Sequence, residues 1–274
     1  AAWAFSFLFF EGKMRALFAM LFGASILLVM ESAEMDGRDG VQAHRRRMIW
    51  LLAIGLAHYL LLWWGDILAI YAVVSLVALG FVRQEPMALV KSAFLIFLFH
   101  FLICAAFLAT LYAWGHAAAL PGAGTATRNG FATFMASLAD PASPGVRADI
   151  ATYRSGFGTI LSHKLASFPG EWFWGFMFTA LDVLGFMLLG MAMLKGGFLT
   201  GRWPADQYWR TARHCFLIGL PPMIGLAIWI IASGFAPLPA FGTVLLWSFP
   251  FRIPLAVGWA ALILWLLARH RNHP

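Results

Sequence analysis

An all-α, polytopic transmembrane helical bundle is the fold class this sequence predicts, and three observations predict it. Of 274 residues, 62% are hydrophobic and only 11% are charged, whereas soluble domains carry roughly a quarter charged residues. So little polar material cannot cover a globule in water. Long apolar runs recur along the chain, and Lys and Arg fall in short blocks between them. The formal net charge of +7 therefore reads as membrane topology and not as a nucleic-acid-binding face.

Seven runs are long enough to be read as spans: 14–30, 48–64, 67–82, 93–113, 172–194, 215–232 and 243–267. The chain begins Ala1-Ala2-Trp3 without an initiator Met, and its opening run through Phe10 is shorter than the roughly twenty residues a crossing needs. No basic region followed by a small-residue cleavage site makes it a signal peptide, and an upstream span is expected to be missing. The sixth run contains Gly219-Leu220-Pro221-Pro222, a break that a membrane helix tolerates when neighbours satisfy the freed backbone.

Cytoplasmic loops carry the excess of Lys and Arg. One set of alternating segments holds twelve: Arg38, Arg45, Arg46, Arg47, Arg83, Lys91, Lys195, Arg202, Arg210, Arg213, Arg269 and Arg271. The other holds seven: Lys13, Arg15, Arg128, Arg147, Arg154, Lys164 and Arg252. The twelve are expected in the cytoplasm and the N-terminus outside. On that reading the segment 114–171 is one long outer loop. Within it, Ile150, Tyr153, Phe157, Ile160, Leu161, Leu165 and Phe168 recur at helical spacing, which predicts an amphipathic helix over about 150–168. It lies either in the outer interface or as a cap over the bundle. No internal repeat or linker divides the chain, so residues 1–274 read as one transmembrane domain.

Ionisable side chains inside a bilayer are costly, and each requires a reason. His58, Asp66, His100 and Asp182 are the candidates. At 1.5 Å per residue, His58 lies about 3 Å outside the midplane and Asp182 within about 2 Å of the same depth, so the two can pair if their faces meet. Asp66 follows Gly65 and reads as a cap for the third span. Alternatively it lines an outward-open cavity with His58 and the hydroxyl of Tyr71. His58 itself is either a backbone-bonded core histidine or a proton-transfer group. His100, flanked by Phe97, Phe99 and Phe101, looks like packing. His44-Arg45-Arg46-Arg47 is first a topology anchor, but Arg46 and Arg47 also suit a phosphate-bearing donor such as acyl-coenzyme A. Cys104 and Cys215 read as packing thiols. No metal, nucleotide-loop or hydrolase motif is present, and the tail His270-Arg271-Asn272-His273 reads as a solvated end.

Several segments together resemble the YeiB-like bacterial membrane family that carries domain of unknown function 418. They are Gly12-Lys13-Met14-Arg15-Ala16-Leu17-Phe18 with Leu21-Phe22-Gly23, Arg46-Arg47-Met48 with Gly55-Leu56-Ala57-His58, and Gly65-Asp66-Ile67-Leu68 with Tyr71-Ala72. Tyr153-Arg154-Ser155-Gly156-Phe157, Asp182-Val183-Leu184-Gly185, Leu189-Gly190-Met191 and Lys195-Gly196-Gly197-Phe198 extend the likeness over almost the whole chain. Its most specific part runs from His58 to Tyr71. The family's first span, with its Asp and Arg-Gly pair, and its last spans, with an Asn-Tyr pair and a Gly-Pro-aliphatic-Glu segment, have no counterpart. The chain therefore looks like a fragment or a shortened member.

The resemblance implies a multi-pass protein of the bacterial cytoplasmic (inner) membrane, related to transmembrane acyltransferases. By it, His58 is the general base, oriented by Asp66 or Asp182, and Arg46, Arg47, Tyr71 and Arg154 contact substrates. The implied partners are membrane lipids, an acyl donor such as acyl-coenzyme A, and a lipid, glycan or small-molecule hydroxyl acceptor, with no resident cofactor, no metal and no nucleic acid. A transporter or permease using the same His and Asp residues, or a membrane subunit without turnover, stands beside that reading.

Overall fold

The computed structural model describes residues 2–63 and 65–271, and every regular element among them is helical. Five stretches of described residues are long and apolar enough to cross a membrane: Ala2–Met35, Pro86–Ala119, Gly170–Lys195, Ala205–Ala232 and Phe249–His270. The protein is a multi-pass bundle of membrane helices.

Helix α1 (Ala2–Phe9) is formed by the opening apolar run and leads into α2 (Lys13–Met35). The two make one apolar stretch, so the first span begins well before Met14. Gly12 sits between them at φ 72°, a left-handed conformation that glycine adopts without cost. Helix α3 (Gly40–Leu61) starts at Asp39, whose carboxylate accepts the Gln42 backbone N–H at 3.0 Å, a cap satisfying one of the free donors of a first turn. Trp64, expected as the end of this run, lies outside the described residues, as do Asn272 and His273 of the tail. Helix α4 (Leu68–Ala78) continues as one tighter turn to Phe81, and α5 (Pro86–Ala119) opens with a proline at a position where no N–H is needed.

The segment 114–171 is built of helices. After α5 come α6 (Thr125–Ala139), α7 (Pro144–Tyr153) and α8 (Phe157–Ser167). The stretch 150–168 is thus shared between two helices, with Gly156 in extended conformation capping the second. Lys164, buried on α8, donates to the Tyr59 carbonyl at 3.1 Å and pins this cap to the last turn of α3, where the free carbonyls favour a cation.

Helix α9 (Gly170–Lys195) occupies the centre and packs against α2, α4 and α5. Its closest approach is to α2. A Cβ on Gly23 would stand 2.0 Å from the Met187 carbonyl oxygen, and one on Gly190 would stand 1.9 Å from that of Met20. With no side chain at either site, the two backbones meet directly, as small residues allow between membrane helices. On the far side, α10 (Ala205–Ala232) pairs with α12 (Phe249–Arg271), which reaches α2. Helix α11 (Pro237–Gly242) and a π-helical turn, Thr243–Trp247, lead into α12.

Three cations expected in loops are placed differently. Lys13 is fully buried, with its ammonium 2.5 Å from the Phe7 carbonyl it donates to. Arg15 sits beside it on α2 and turns inward to a carboxylate. Arg252 is buried in α12, donating through Nε to the Ser248 hydroxyl at 3.0 Å and through its terminal nitrogen to the Val244 carbonyl in the π turn. The helix is continuous through Pro254, which is why a proline-flanked arginine is not a loop residue here.

Candidate functional site

The turn between α3 and α4 brings His58 and Asp66 together. His58 Nδ1–H donates to Asp66 Oδ1 at 2.9 Å, and Asp66 Oδ2 accepts the Ala69 backbone N–H at 2.8 Å. The carboxylate therefore caps α4 and orients the ring at once. An acid that can only accept assigns the proton to Nδ1 and leaves Nε2 as the basic nitrogen. The Asp66 side chain is wholly buried, whereas that of His58 is 34% exposed. Helices α3 and α4 meet closely here, because Gly55 leaves room for the Ala69 backbone.

Asp182 does not reach His58. It pairs instead with Arg15 at 2.6 Å across the α2–α9 contact, and Tyr71 donates its hydroxyl to the Arg15 carbonyl at 3.0 Å. Of the two acids expected to orient His58, Asp66 thus holds it and Asp182 holds Arg15. Nothing local in the sequence marks Arg15 as a site residue, since it stands three residues after a glycine and next to the expected end of a span. His100 packs its ring on Phe249, 4.7 Å between centroids, with Nε2 3.6 Å from the Cys104 sulfur. Both cysteines are free thiols.

A cavity of about 800 Å³ opens at the end of the bundle covered by α7 and α8. Asp66, Arg15, Tyr59, Tyr153, Glu171 and Trp172 are among the residues on its wall. Tyr71 lies buried beneath, and Arg154 is exposed outside it. At the opposite end, a cleft of about 910 Å³ is lined by Arg45, Arg83, Lys195 and Arg202 together with Glu31 and Glu34. Lys195 is fixed there by two bonds of 2.7 Å to the Val82 and Gln84 carbonyls. Arg46 and Arg47 are exposed but do not line this cleft, so Arg45 is the member of the arginine run that faces it.

The clefts approach each other along α4, where Ile70 lines one and Leu76 the other. Six residues of α4, about 9 Å, stand between the two linings there, whereas twelve residues of α2 from Arg15 to Leu27, about 18 Å, and fifteen of α9 from Thr179 to Leu194, about 22 Å, stand between them on the other walls. Around this septum lie the Arg15–Asp182 pair, Tyr71 and the buried core of α9.

Comparison with known proteins points the same way as the pattern around this turn. The chain is similar to YeiB of Escherichia coli. It is 29% identical to that uncharacterised protein over 221 residues, 80% of this chain and 50% of YeiB. It is also 37% identical to the uncharacterised protein YxaH of Bacillus subtilis over 98 residues, 35% of this chain and 24% of YxaH. The chain thus spans about half the length of YeiB and a smaller part of YxaH. No family model and no solved structure matches it.

Proposed function

We propose that this YeiB-like membrane protein is an acyltransferase of the kind suggested by its resemblance to the family with domain of unknown function 418, moving an acyl group from a donor at the basic end to a hydroxyl acceptor at the other. The observation carrying this reading is the His58–Asp66 pair, whose carboxylate lines a roofed cavity that His58 itself adjoins without lining. Nε2 of His58 takes the proton of the acceptor hydroxyl while the oxygen attacks the donor's thioester carbonyl. The carbon–sulfur bond breaks as the new ester forms, and the imidazolium returns its proton to the departing thiolate. Asp66 stabilises the imidazolium in between, as a carboxylate behind a catalytic histidine does. In this reading the basic cleft binds the phosphates of a donor such as acyl-coenzyme A through Arg45, Arg83, Lys195 and Arg202, with Arg46 and Arg47 at its approach. The membrane is the bacterial cytoplasmic one, with the basic end inside.

The test is binding and turnover of acyl-coenzyme A by the detergent-purified protein. Saturable binding that weakens in Arg45→Ala/Arg202→Ala, with acyl loss that disappears in a folded His58→Ala, is the expected result. A folded protein that binds no acyl donor would overturn the proposal. A second reading, transport, is favoured by one feature: clefts at both ends with a septum carrying an ion pair. It predicts solute movement across sealed vesicles without any acyl donor.

A further inference from the structure

The cavity beneath α7 and α8 has a charge opposite to that of the molecule. In a chain of formal net charge +7, its wall presents three carboxylates, Asp66, Asp149 and Glu171, against one guanidinium, that of Arg15, and one imidazole, that of His163. Arg15 is already committed to Asp182 at 2.6 Å, and Asp66 to His58 and the Ala69 N–H. Asp149 and Glu171, both exposed, form no ion pair among the described residues, and Glu171 meets the Tyr59 hydroxyl instead of a cation. Both lie close enough to Tyr153 that, together with burial, they hold its phenol above the ordinary value.

The remaining wall is aromatic, with Tyr59, Tyr153, Trp172 and Trp174. Ring faces beside uncompensated carboxylates are the combination that attracts an organic ammonium group, through the ring quadrupole and through charge. A metal ion fits less well, because no three His, Cys, Asp or Glu side chains among the described residues gather closely enough to hold one. The volume of about 800 Å³ is that of a site for a small molecule.

We infer that this cavity binds an organic ammonium compound bearing an oxygen function, an amino alcohol or its quaternary form. The inference deepens the acyl-transfer reading by naming the acceptor's chemical class, and rests on that reading for the oxygen function and for the chemical step after binding. The ammonium sits between Asp149, Glu171 and the aromatic side chains, and the oxygen lies toward Asp66, the carboxylate that holds His58. Such a group reaches the site either as a free solute or as the headgroup of a lipid.

The probe is choline, with its uncharged isostere 3,3-dimethyl-1-butanol as control, added to protein in maltoside micelles and followed by tryptophan fluorescence. Saturable choline binding is expected, with the isostere failing to compete. Asp149→Asn/Glu171→Gln should raise Kd at least about tenfold, the equivalent of about 1.4 kcal/mol, and Trp174→Leu should weaken binding as well. Glu31→Gln, in the opposite cleft, should leave it unchanged. Equal binding of choline and isostere, or a double variant with unaltered Kd, would overturn the inference. Repeating the titration in phosphatidylcholine and phosphatidylglycerol nanodiscs separates the sources. A response lost only in phosphatidylcholine identifies the lipid headgroup, and one kept in both identifies a free solute. Choline binding without donor-dependent acylation would leave this inference standing and remove the acyltransferase reading. Acylation of neutral alcohols with no choline binding would do the reverse.

Discussion

Removing the Asp182 carboxylate leaves the Arg15 guanidinium, which it meets at 2.6 Å, without its counter-charge inside the bundle. Breaking a buried pair on one side costs about 3–5 kcal/mol. Arg15 keeps 34% of its side chain exposed in the cavity, so Asp182→Ala is expected near the lower end, about 3 kcal/mol. Asp182→Leu combined with Arg15→Met should recover most of that loss in a denaturation series, and a double variant no better than the single would show that the pair is not the cause. A second prediction concerns His44, which is 1% exposed with both ring nitrogens unbonded and precedes the apolar part of α3. Burial, then the Arg47 charge, pushes its pKa down to about 4. The unfolded chain protonates this ring below about 6.5, so the folded state binds fewer protons and loses stability as pH falls from about 6.5 toward 4. His44→Met should flatten that acid slope in thermal melts recorded across the interval, and an unchanged slope would rule His44 out as its source. Legibility at this scale tracks sequence distance. His58 and Asp66 stand eight residues apart across one turn, and a tight turn leaves them few other arrangements. Arg15 and Asp182 are separated by 167 residues, and no local pattern says which of two acids at similar depth meets which base.

Helix packing provides the third prediction. The α2–α9 contact has no room for a methyl group at Gly23 or Gly190, where it would press on a backbone carbonyl and not on a movable side chain. Gly190→Ala must push the helices apart, at a cost of at least about 3 kcal/mol, above the usual range for an overpacked core. Gly225→Ala on α10 meets nothing within 4 Å and should be neutral or stabilising by up to about 1 kcal/mol. Comparing the two in detergent melts checks the assignment, since equal behaviour would mean that the contact is not tight. Five of the seven apolar runs read from the sequence fall in helices long and apolar enough to cross a membrane, because so many apolar residues there have little choice but to satisfy their own backbone. The runs 48–64 and 67–82 fall mainly in α3 and α4, which do not reach that measure, α3 because its first turns carry the arginine run and α4 because it is 11 residues long. The limits of the runs are less legible. Gly12 suggests an edge where the chain only changes direction, and hydrophobic spacing across 150–168 gives no sign of the break after Tyr153, because α7 and α8 each keep the same stripe.

On the scale of the whole molecule, the buried positions of Lys13 and Arg252 and the inward turn of Arg15 to Asp182 sharpen the charge asymmetry. Without them the seven cations assigned to one side fall to four, Arg128, Arg147, Arg154 and Lys164, against twelve on the other. The fourth prediction is therefore that, in a variant with both cysteines replaced, a cysteine at Arg46 is labelled by an impermeant reagent only after the cells are opened, whereas one at Arg147 is labelled from outside. The reverse pattern would invert the proposed orientation. The septum between the two clefts has an electrical consequence. Clefts filled with electrolyte are conductors, so a membrane voltage that would otherwise fall over about 30 Å of hydrocarbon falls mainly across the wall between them, about 9 Å long on α4 and about 18 to 22 Å on α2 and α9. The local field there exceeds that in the surrounding lipid, by up to about threefold along α4. A whole elementary charge carried across it exchanges about 2.3 kcal/mol per 100 mV, so any proton or ligand passing this wall makes the protein respond to the energised state of its membrane.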